Sequence, residues 1–544
     1  MKTSLAFVVL LCVLVLATFL RSSAQAQPPA KPNILVILVD DMGFADIGCY
    51  GSEIPTPNLD KLAANGLRFT QFYNTGRCCP TRAALLTGLY SHQAGVGHMV
   101  EDGGQPGYLG HLNDHCVTIA DVLHGAGYFT AMSGKWHVGQ NHGVVPWNRG
   151  FDRSFNAPAG GFYYADGPRS ELFLNGKKLA NDDPALPNAW YTTDLWTDYS
   201  IKFIDEARDA KQPFFLYLAY NAPHFPLQAP QDEISKFRGK YKMGWDKLRE
   251  ERHAKEIEIG VVDKAWALSP RPDVVQAWDK LTPAEQDRFD HIMAIYAACV
   301  AHMDTAVGRL VAALKQRGEL DHTLIMFLSD NGANAESGPN GRLEGMQPGG
   351  PGSTVFEGQS WATLSNTPFR RYKHFNHEGG IATPLIVHWP DRVAGKNVFR
   401  QQPGHLIDIM ATCVDVGGAK YPTEFHDKPI LPMEGKSLLP AFENKPIDRD
   451  AIFWEHEGNA AVRAGDWKLA RVGRNGPWEL YNLKTDRTEL HDLAATDPER
   501  AKELAAKWDA WAKRTNVVPY PVAKPASDKK ASDKKAADKK SASE

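Results

Sequence analysis

Four uninterrupted apolar runs constrain this chain more than any other feature. They are Asn33-Ile-Leu-Val-Ile-Leu-Val39, Pro213-Phe-Phe-Leu-Tyr-Leu218, Thr323-Leu-Ile-Met-Phe-Leu328 and Pro384-Leu-Ile-Val-His388. A strand with one face in water alternates apolar and polar residues. These runs do not alternate, so they predict strands covered on both faces, as in a parallel sheet between helices. Helical patterns lie between them. Asn58 to Ala64 is closed by Asn65-Gly66. Ile292, Ile295, Tyr296, Cys299, Val300, Met303, Val307, Leu310, Val311 and Leu314 fall on one face of a long amphipathic helix, where Cys299 reads as core. Strands alternating with helices predict an α/β fold with a largely parallel central sheet. Such sheets bind ligands at the carboxyl ends of their strands. Three polar clusters occur there: Asp40-Asp41, Asn221-Ala-Pro-His224 and Ser329-Asp330-Asn331-Gly332.

At 544 residues the chain is long for a single core. Residues 1–26 read as a signal peptide: Lys2, an apolar run from Leu5 to Leu20, then Ala24-Gln25-Ala26 as a cleavage site. A secreted or periplasmic protein is therefore expected, and no later segment reads as apolar for long enough to span a bilayer. Residues 27–445 are expected to form the catalytic domain. From 446 to 520, short strand-like runs (Ala451–Trp454, Ala461–Arg463, Trp467–Ala470, Glu479–Asn482) precede a helix near Pro498 to Lys513. They predict a small C-terminal domain with an antiparallel sheet and one helix. Residues 521–544, built on an Ala-Ser-Asp-Lys-Lys repeat, cannot bury a core and are expected to be disordered. The six cysteines beyond Cys12 are scattered, unlike a dense disulfide scaffold. A net charge of −3 gives no indication of nucleic-acid binding.

Chemistry concentrates in Gly76-Arg-Cys-Cys-Pro-Thr-Arg-Ala-Ala-Leu-Leu-Thr-Gly88. Pro80 suits a first helical turn and Gly88 an end, so Cys78 and Cys79 stand at a helix N-terminus, where free N–H groups favour an anion. By that reading alone they are either a reactive low-pKa thiol or two small buried side chains. Asp40-Asp41 read equally well as a strand-end turn or as oxygen ligands.

Cys78-x-Pro80-x-Arg82 followed by Ala-Ala-Leu-Leu-Thr-Gly resembles the signature of the sulfatase family, and in that family the first cysteine is oxidised to formylglycine by a dedicated maturation enzyme. Cys79 lacks the proline and arginine spacing and reads as a passive neighbour. The resemblance extends from Asn33 to about Asn516. The segment from Asp232 to Leu281, with Gly244-Trp245-Asp246 and Ser269-Pro-Arg-Pro272, is most like the bacterial arylsulfatase branch. It implies an alkaline-phosphatase-like core with a small C-terminal antiparallel domain. It also implies metal ligation by Asp40, Asp41, Asp330, Asn331 and residue 78. All offer oxygen, which suits Ca²⁺, with Mg²⁺ the alternative. Gly134-Lys135-Trp136-His137, Ala222-Pro223-His224, and Lys373 ahead of His377-Glu378-Gly379-Gly380 match the family's remaining active-site segments. Arg370 or Arg371 is a competing anion ligand beside Lys373.

The implied reaction is hydrolysis of a sulfate ester, of arylsulfatase type, to an alcohol or phenol and inorganic sulfate, with a hydrated formylglycine as nucleophile. Arg82 steadies that nucleophile. Lys135 and Lys373 hold sulfate oxygens, His224 protonates the leaving group, and His137 takes a proton from residue 78. The expected substrate is a small sulfate ester or a sulfated glycan. The rival readings are a formylglycine-dependent phosphonate monoesterase or phosphodiesterase, and a secreted binding protein with an inactive site.

Overall fold

The computed structural model describes residues 31–166, 171–393 and 395–522, so the signal-peptide assignment and the tail from 523 onward lie outside the described residues. Seven long strands form the body of the main sheet: β1 (Asn33–Val39), β2 (Leu67–Tyr73), β3 (Phe129–Lys135), β4 (Arg153–Ala157), β5 (Phe214–Ala219), β6 (Thr323–Ser329) and β7 (Ala382–His388). Their order is β2-β7-β6-β1-β5-β3-β4, extended at both edges by short strands. All four apolar runs are strands of this sheet.

β1 explains the unbroken hydrophobicity. Ile34, Val36 and Leu38 point into one core, while Leu35, Ile37 and Val39 point into another on the opposite face. No residue of the strand faces water, so no polar alternation is required. The first face is covered by α2 (Cys78–Thr87), the helix Ile407–Val416 and, in part, the C-terminal α5 (Pro498–Arg514). The second face, with Leu35, Ile37 and Val39, is covered by α1 (Pro57–Ala64). On that second side lie also α3 (Thr192–Asp209) and α4 (Pro283–Gln316). By length and composition α4 is apolar enough to cross a membrane, which corrects the expectation that no later segment would be. It packs against α1, α3 and the helix Gln231–Phe237, and Cys299 is buried on it.

β1, β5, β6, β3 and β4 run parallel. β7 is the exception, antiparallel to both β6 and β2. That reversal decides where Lys373 lies. The segment before an antiparallel strand emerges at the edge where the parallel strands end, so residues 373–381 join the loops that follow β1, β5 and β6.

The C-terminal residues form an antiparallel sheet of four strands, β8 (Ile452–His456), β9 (Asn459–Ala464), β10 (Trp467–Arg471) and β11 (Glu479–Asn482), with α5 against it. It is joined to the main sheet by a buried ion cluster. Glu378, just before β7, accepts from Lys468 Nζ at 2.8 Å, Arg487 Nε at 2.7 Å and Tyr73 Oη at 3.0 Å. Its backbone N–H donates to Glu489 Oε2 at 2.9 Å. Against its burial, Lys468, Arg487 and Arg463 hold the Glu378 carboxyl down at about 2. Glu378→Gln leaves buried cations without their carboxylate, so a loss of about 3–5 kcal/mol is expected. Urea unfolding would measure it, and an unchanged midpoint would contradict a structural role for the cluster.

Candidate active site

The site lies along the carboxyl edge of the main sheet. β2 ends at Tyr73 and the chain turns through Gly76 into α2, whose N-cap Arg77 has extended backbone and contributes no side-chain cap. The first turn therefore opens toward the site with its N–H groups available to an anion. All ten residues of α2 are buried, and Gly88, with φ 69°, ends the helix by donating to Ala84 O. Thr81 Oγ1 donates to Asp330 O at 2.6 Å and so ties this helix to the loop after β6.

Cys78 and Cys79 are both buried. A hydrogen bond from Cys79, together with Lys135 and His137, lowers the Cys78 thiol well below its ordinary range despite burial. Burial pushes Cys79 up. Residue 78 is the one that shares a hydrogen bond with His137.

Asp40 and Asp41 follow β1. Asp40 Oδ2 accepts from Lys135 Nζ at 2.7 Å and stands 3.4 Å from Arg82 Nη2. Arg82, wholly buried, also binds Asp330 Oδ2 at 2.7 Å and donates to Lys135 O at 3.0 Å. One guanidinium thereby braces the ends of β1, β3 and β6. Burial would raise Asp40, but Lys135, His224 and Arg82 hold it well below the usual carboxylate range. Asp330 moves the other way, raised by burial and by Asp40.

Asp41 adopts φ 66°, a left-handed conformation that costs an aspartate on the order of 1 kcal/mol. It is held there by three donors. Lys373 Nζ lies 2.8 Å from Oδ1, Asn331 Nδ2 2.7 Å from Oδ1, and Asn334 Nδ2 2.8 Å from Oδ2. Lys373 is thus the cation that enters the site. Arg370 pairs instead with Glu479 at 2.9 Å, and Arg371 lies over the Phe375 ring.

Lys135 is the last residue of β3. The preceding Gly134 has φ 120°, and a Cβ there would meet Ala219 O at 1.9 Å, so only glycine fits. His137 is also left-handed at φ 58°, and its ring shares a hydrogen bond with Cys78. Burial and then Lys135 push it down to about 4, so it stands neutral, as a base must. His224 stacks on Phe225 and donates from Nδ1 to Phe225 O at 2.5 Å, which turns Nε2 toward Asp41 Oδ2 at 3.6 Å. Burial lowers it. All ten residues singled out from the sequence therefore meet at one edge.

Comparison with known proteins agrees with this constellation. The Sulfatase family pattern matches residues 32–419, and the pattern of the N-sulphoglucosamine sulphohydrolase C-terminal region matches 370–512. The chain belongs to the sulfatase family. An arylsulfatase of Klebsiella aerogenes is 34% identical over 77% of this chain and 94% of its own length. An uncharacterized sulfatase of Schizosaccharomyces pombe is 36% identical over 90% of this chain and 95% of its own. Among solved structures, Ps i-CgsB in complex with k-i-k-neocarrahexaose aligns with a TM-score of 0.66 at 28% identity, covering 89% of this chain and 93% of that one. The mostly parallel sheet with flanking helices is the alkaline-phosphatase-like fold of these sulfatases.

Sulfatases use a divalent metal and formylglycine, and the residues here fit both. Asp40 Oδ1 and Asn331 Oδ1 are buried with no hydrogen-bond partner among the described residues, although nearly all such atoms in folded proteins have one. Three carboxylates crowd one edge, and Asp330 is raised first by burial and then by the neighbouring Asp40. A hard cation bound by Asp40, Asp41, Asp330 and Asn331 satisfies both conditions. His224 also brings a ring nitrogen within 4.8 Å of the Asp40 and Asp41 oxygens, but imidazole is a poor ligand for a hard cation.

Sequence reasoning missed Asn334, Arg77, Glu336 and His374. Asn334 lies in a loop without periodicity, and only its contact with Asp41 marks it. Arg77 forms a short contact with Glu336, and His374 Nε2 lies 2.8 Å from the same carboxylate. Asn334→Ala removes a donor that orients Asp41, so calorimetric divalent-cation affinity is expected to fall about 10- to 100-fold. Unchanged affinity would show that Asp41 is held by its other partners alone.

Proposed function

We propose that this sulfatase hydrolyses sulfate esters of the arylsulfatase type, releasing an alcohol or phenol and inorganic sulfate, with Cys78 as the residue converted to formylglycine. The observation that carries this reading is the convergence of Lys135 and Lys373 with the Asp40, Asp41, Asp330 and Asn331 oxygens at the open N-terminus of α2. The Klebsiella relative supports the arylsulfatase class. Ca²⁺ is the proposed ion, with Mg²⁺ the alternative, because every ligand offers oxygen. The signal-peptide pattern supports action outside the cytoplasm, and a maturation enzyme is the implied partner.

Formylglycine at position 78 supplies the oxygen nucleophile and the bound cation supplies Lewis-acid charge. This chain's own side chains do the rest. Lys135 and Lys373 remain cationic because Asp40 and Asp41 oppose the effect of burial, so both offer ammonium protons to sulfate oxygens. Arg82 fixes the carboxylates against which residue 78 is positioned. His137, neutral and bonded to residue 78, accepts the proton from its oxygen. His224 Nε2 lies 3.6 Å from Asp41 Oδ2. Because Nδ1 donates to Phe225 O, Nε2 carries a proton only in the imidazolium form, which burial disfavours and the neighbouring Asp41 and Asp40 carboxylates favour. It is our choice for the acid that protonates the leaving oxygen.

Mass spectrometry of active protein is expected to find an aldehyde at residue 78 and an intact thiol at 79. Intact thiols at both positions in fully active protein would refute the assignment. Cys78→Ala is expected to fold and to turn over no aryl sulfate.

The acid and the base should separate by leaving group. A nitrophenolate barely needs a proton, whereas an alkoxide does. His224→Ala is expected to slow an alkyl sulfate about 10²-fold more than a nitrophenyl sulfate, the low end of general acid catalysis. The loss in His137→Ala should not depend on the leaving group. The measurement is kcat across sulfate esters of graded leaving-group pKa. If His224→Ala kept the wild-type slope, the acid role would pass to Lys373.

A further inference from the structure

Beside the active site, a second group of ligating side chains plays no part in the reaction described above. β8 and β9 are joined by the turn His456-Glu457-Gly458-Asn459, in which Glu457 has φ 52°. This turn lies against the loop that carries His98. His98 Nε2 is 3.0 Å from Glu457 Oε1, and His456 Nε2 is 3.7 Å from the same oxygen. Ligating atoms of the three side chains all lie within 4.8 Å of one another. Ligands of a tetrahedral zinc, each about 2.1 Å from the ion, stand roughly 3.4 Å apart. The two measured separations bracket that spacing.

An independent observation concerns His456. It is fully buried, and neither of its ring nitrogens has a hydrogen-bond partner among the described residues. Buried imidazoles ordinarily find a partner for at least one nitrogen. Burial also keeps this ring far below its ordinary pKa and hence neutral, the form that ligates a metal. His98 and Glu457 are each about a quarter exposed, at 28% and 24%, which leaves an ion a path inward.

We propose that His98, His456 and Glu457 form a second metal site, selective for Zn²⁺ or a similar borderline transition ion. Two imidazoles beside one carboxylate suit zinc, whereas Ca²⁺ takes oxygen ligands and disfavours imidazole. His374 acts as the outer partner, its Nδ1 lying 2.8 Å from Glu457 Oε2 and orienting the carboxylate. The ion would fasten the β8–β9 turn to the His98 loop. It would also reach the reaction centre through bonded neighbours, since His374 follows Lys373 and shares Glu336 with Arg77, the residue before Cys78.

Untagged full-length protein, kept saturated with Ca²⁺, is titrated with Zn²⁺ by calorimetry and with Co²⁺ by visible absorption. We expect one equivalent of Zn²⁺ per chain that excess Ca²⁺ does not displace, and the strong visible bands of Co²⁺ in a site of low coordination number. His98→Ala, a change at a partly exposed side chain, and Glu457→Gln should each weaken Zn²⁺ binding by more than the roughly tenfold effect of losing an outer partner. Asp41→Ala should leave Zn²⁺ uptake intact. The proposal is overturned by absence of saturable Zn²⁺ uptake, by wild-type Co²⁺ spectra without such bands, or by uptake that His98→Ala leaves unchanged.

Discussion

The Arg82 guanidinium has no exposed atom, so it must be paired within the protein or the fold would carry an isolated buried charge. Asp330 and Asp40 meet that requirement, and they are the residues that follow β6 and β1. The same guanidinium donates to the carbonyl of Lys135, the last residue of β3, and Lys135 returns its ammonium to Asp40. Three strand ends are thereby fixed by one cation from α2. The strand order makes this cheap in backbone terms, because β6, β1, β5 and β3 are consecutive neighbours whose ends are already aligned.

From that brace the rest of the site follows. With Asp40 committed to Lys135 and Arg82, Asp41 turns into a left-handed conformation and meets Lys373, Asn331 and Asn334. The two carboxylates divide the cations between them, Lys135 to Asp40 and Lys373 to Asp41. Further out, Glu378 ties residues 373–381 to both sheets through Lys468, Arg487 and Tyr73. Its partners Lys468 and Arg487 come from the C-terminal part of the chain. The small sheet therefore supports the segment that delivers Lys373, and it also brings Glu457 to His374.

Much of this was legible in the residues. The apolar runs read as doubly covered strands because β1 and its neighbours have no wet face. The clusters after β1, β5 and β6 read as site residues because parallel strands present their ends together. Lys373 was different. It precedes its strand, so a rule about carboxyl ends gives no reason to include it, and family resemblance alone nominated it over Arg370 and Arg371. The apolar stretch of α4 illustrates the opposite difficulty. Its composition suits a membrane as well as a core, and only its packing against α1 and α3 distinguishes them.

By itself the sequence determined the α/β class and the oxygen-rich character of the clusters after β1 and β6, while the Cys78-x-Pro80-x-Arg82 spacing, through its family resemblance, nominated the proposed precursor of the nucleophile. Those properties are local, set by residue type and by spacings of a few positions. Tertiary structure alone decided that β7 runs against its neighbours, that Lys373 rather than an arginine reaches Asp41, and that Asn334 holds Asp41 in place. It alone brought His98 to His456 and Glu457, some 360 positions apart in the chain. Strand direction and long-range contact depend on how separate segments pack against shared cores, and no local spacing encodes that packing.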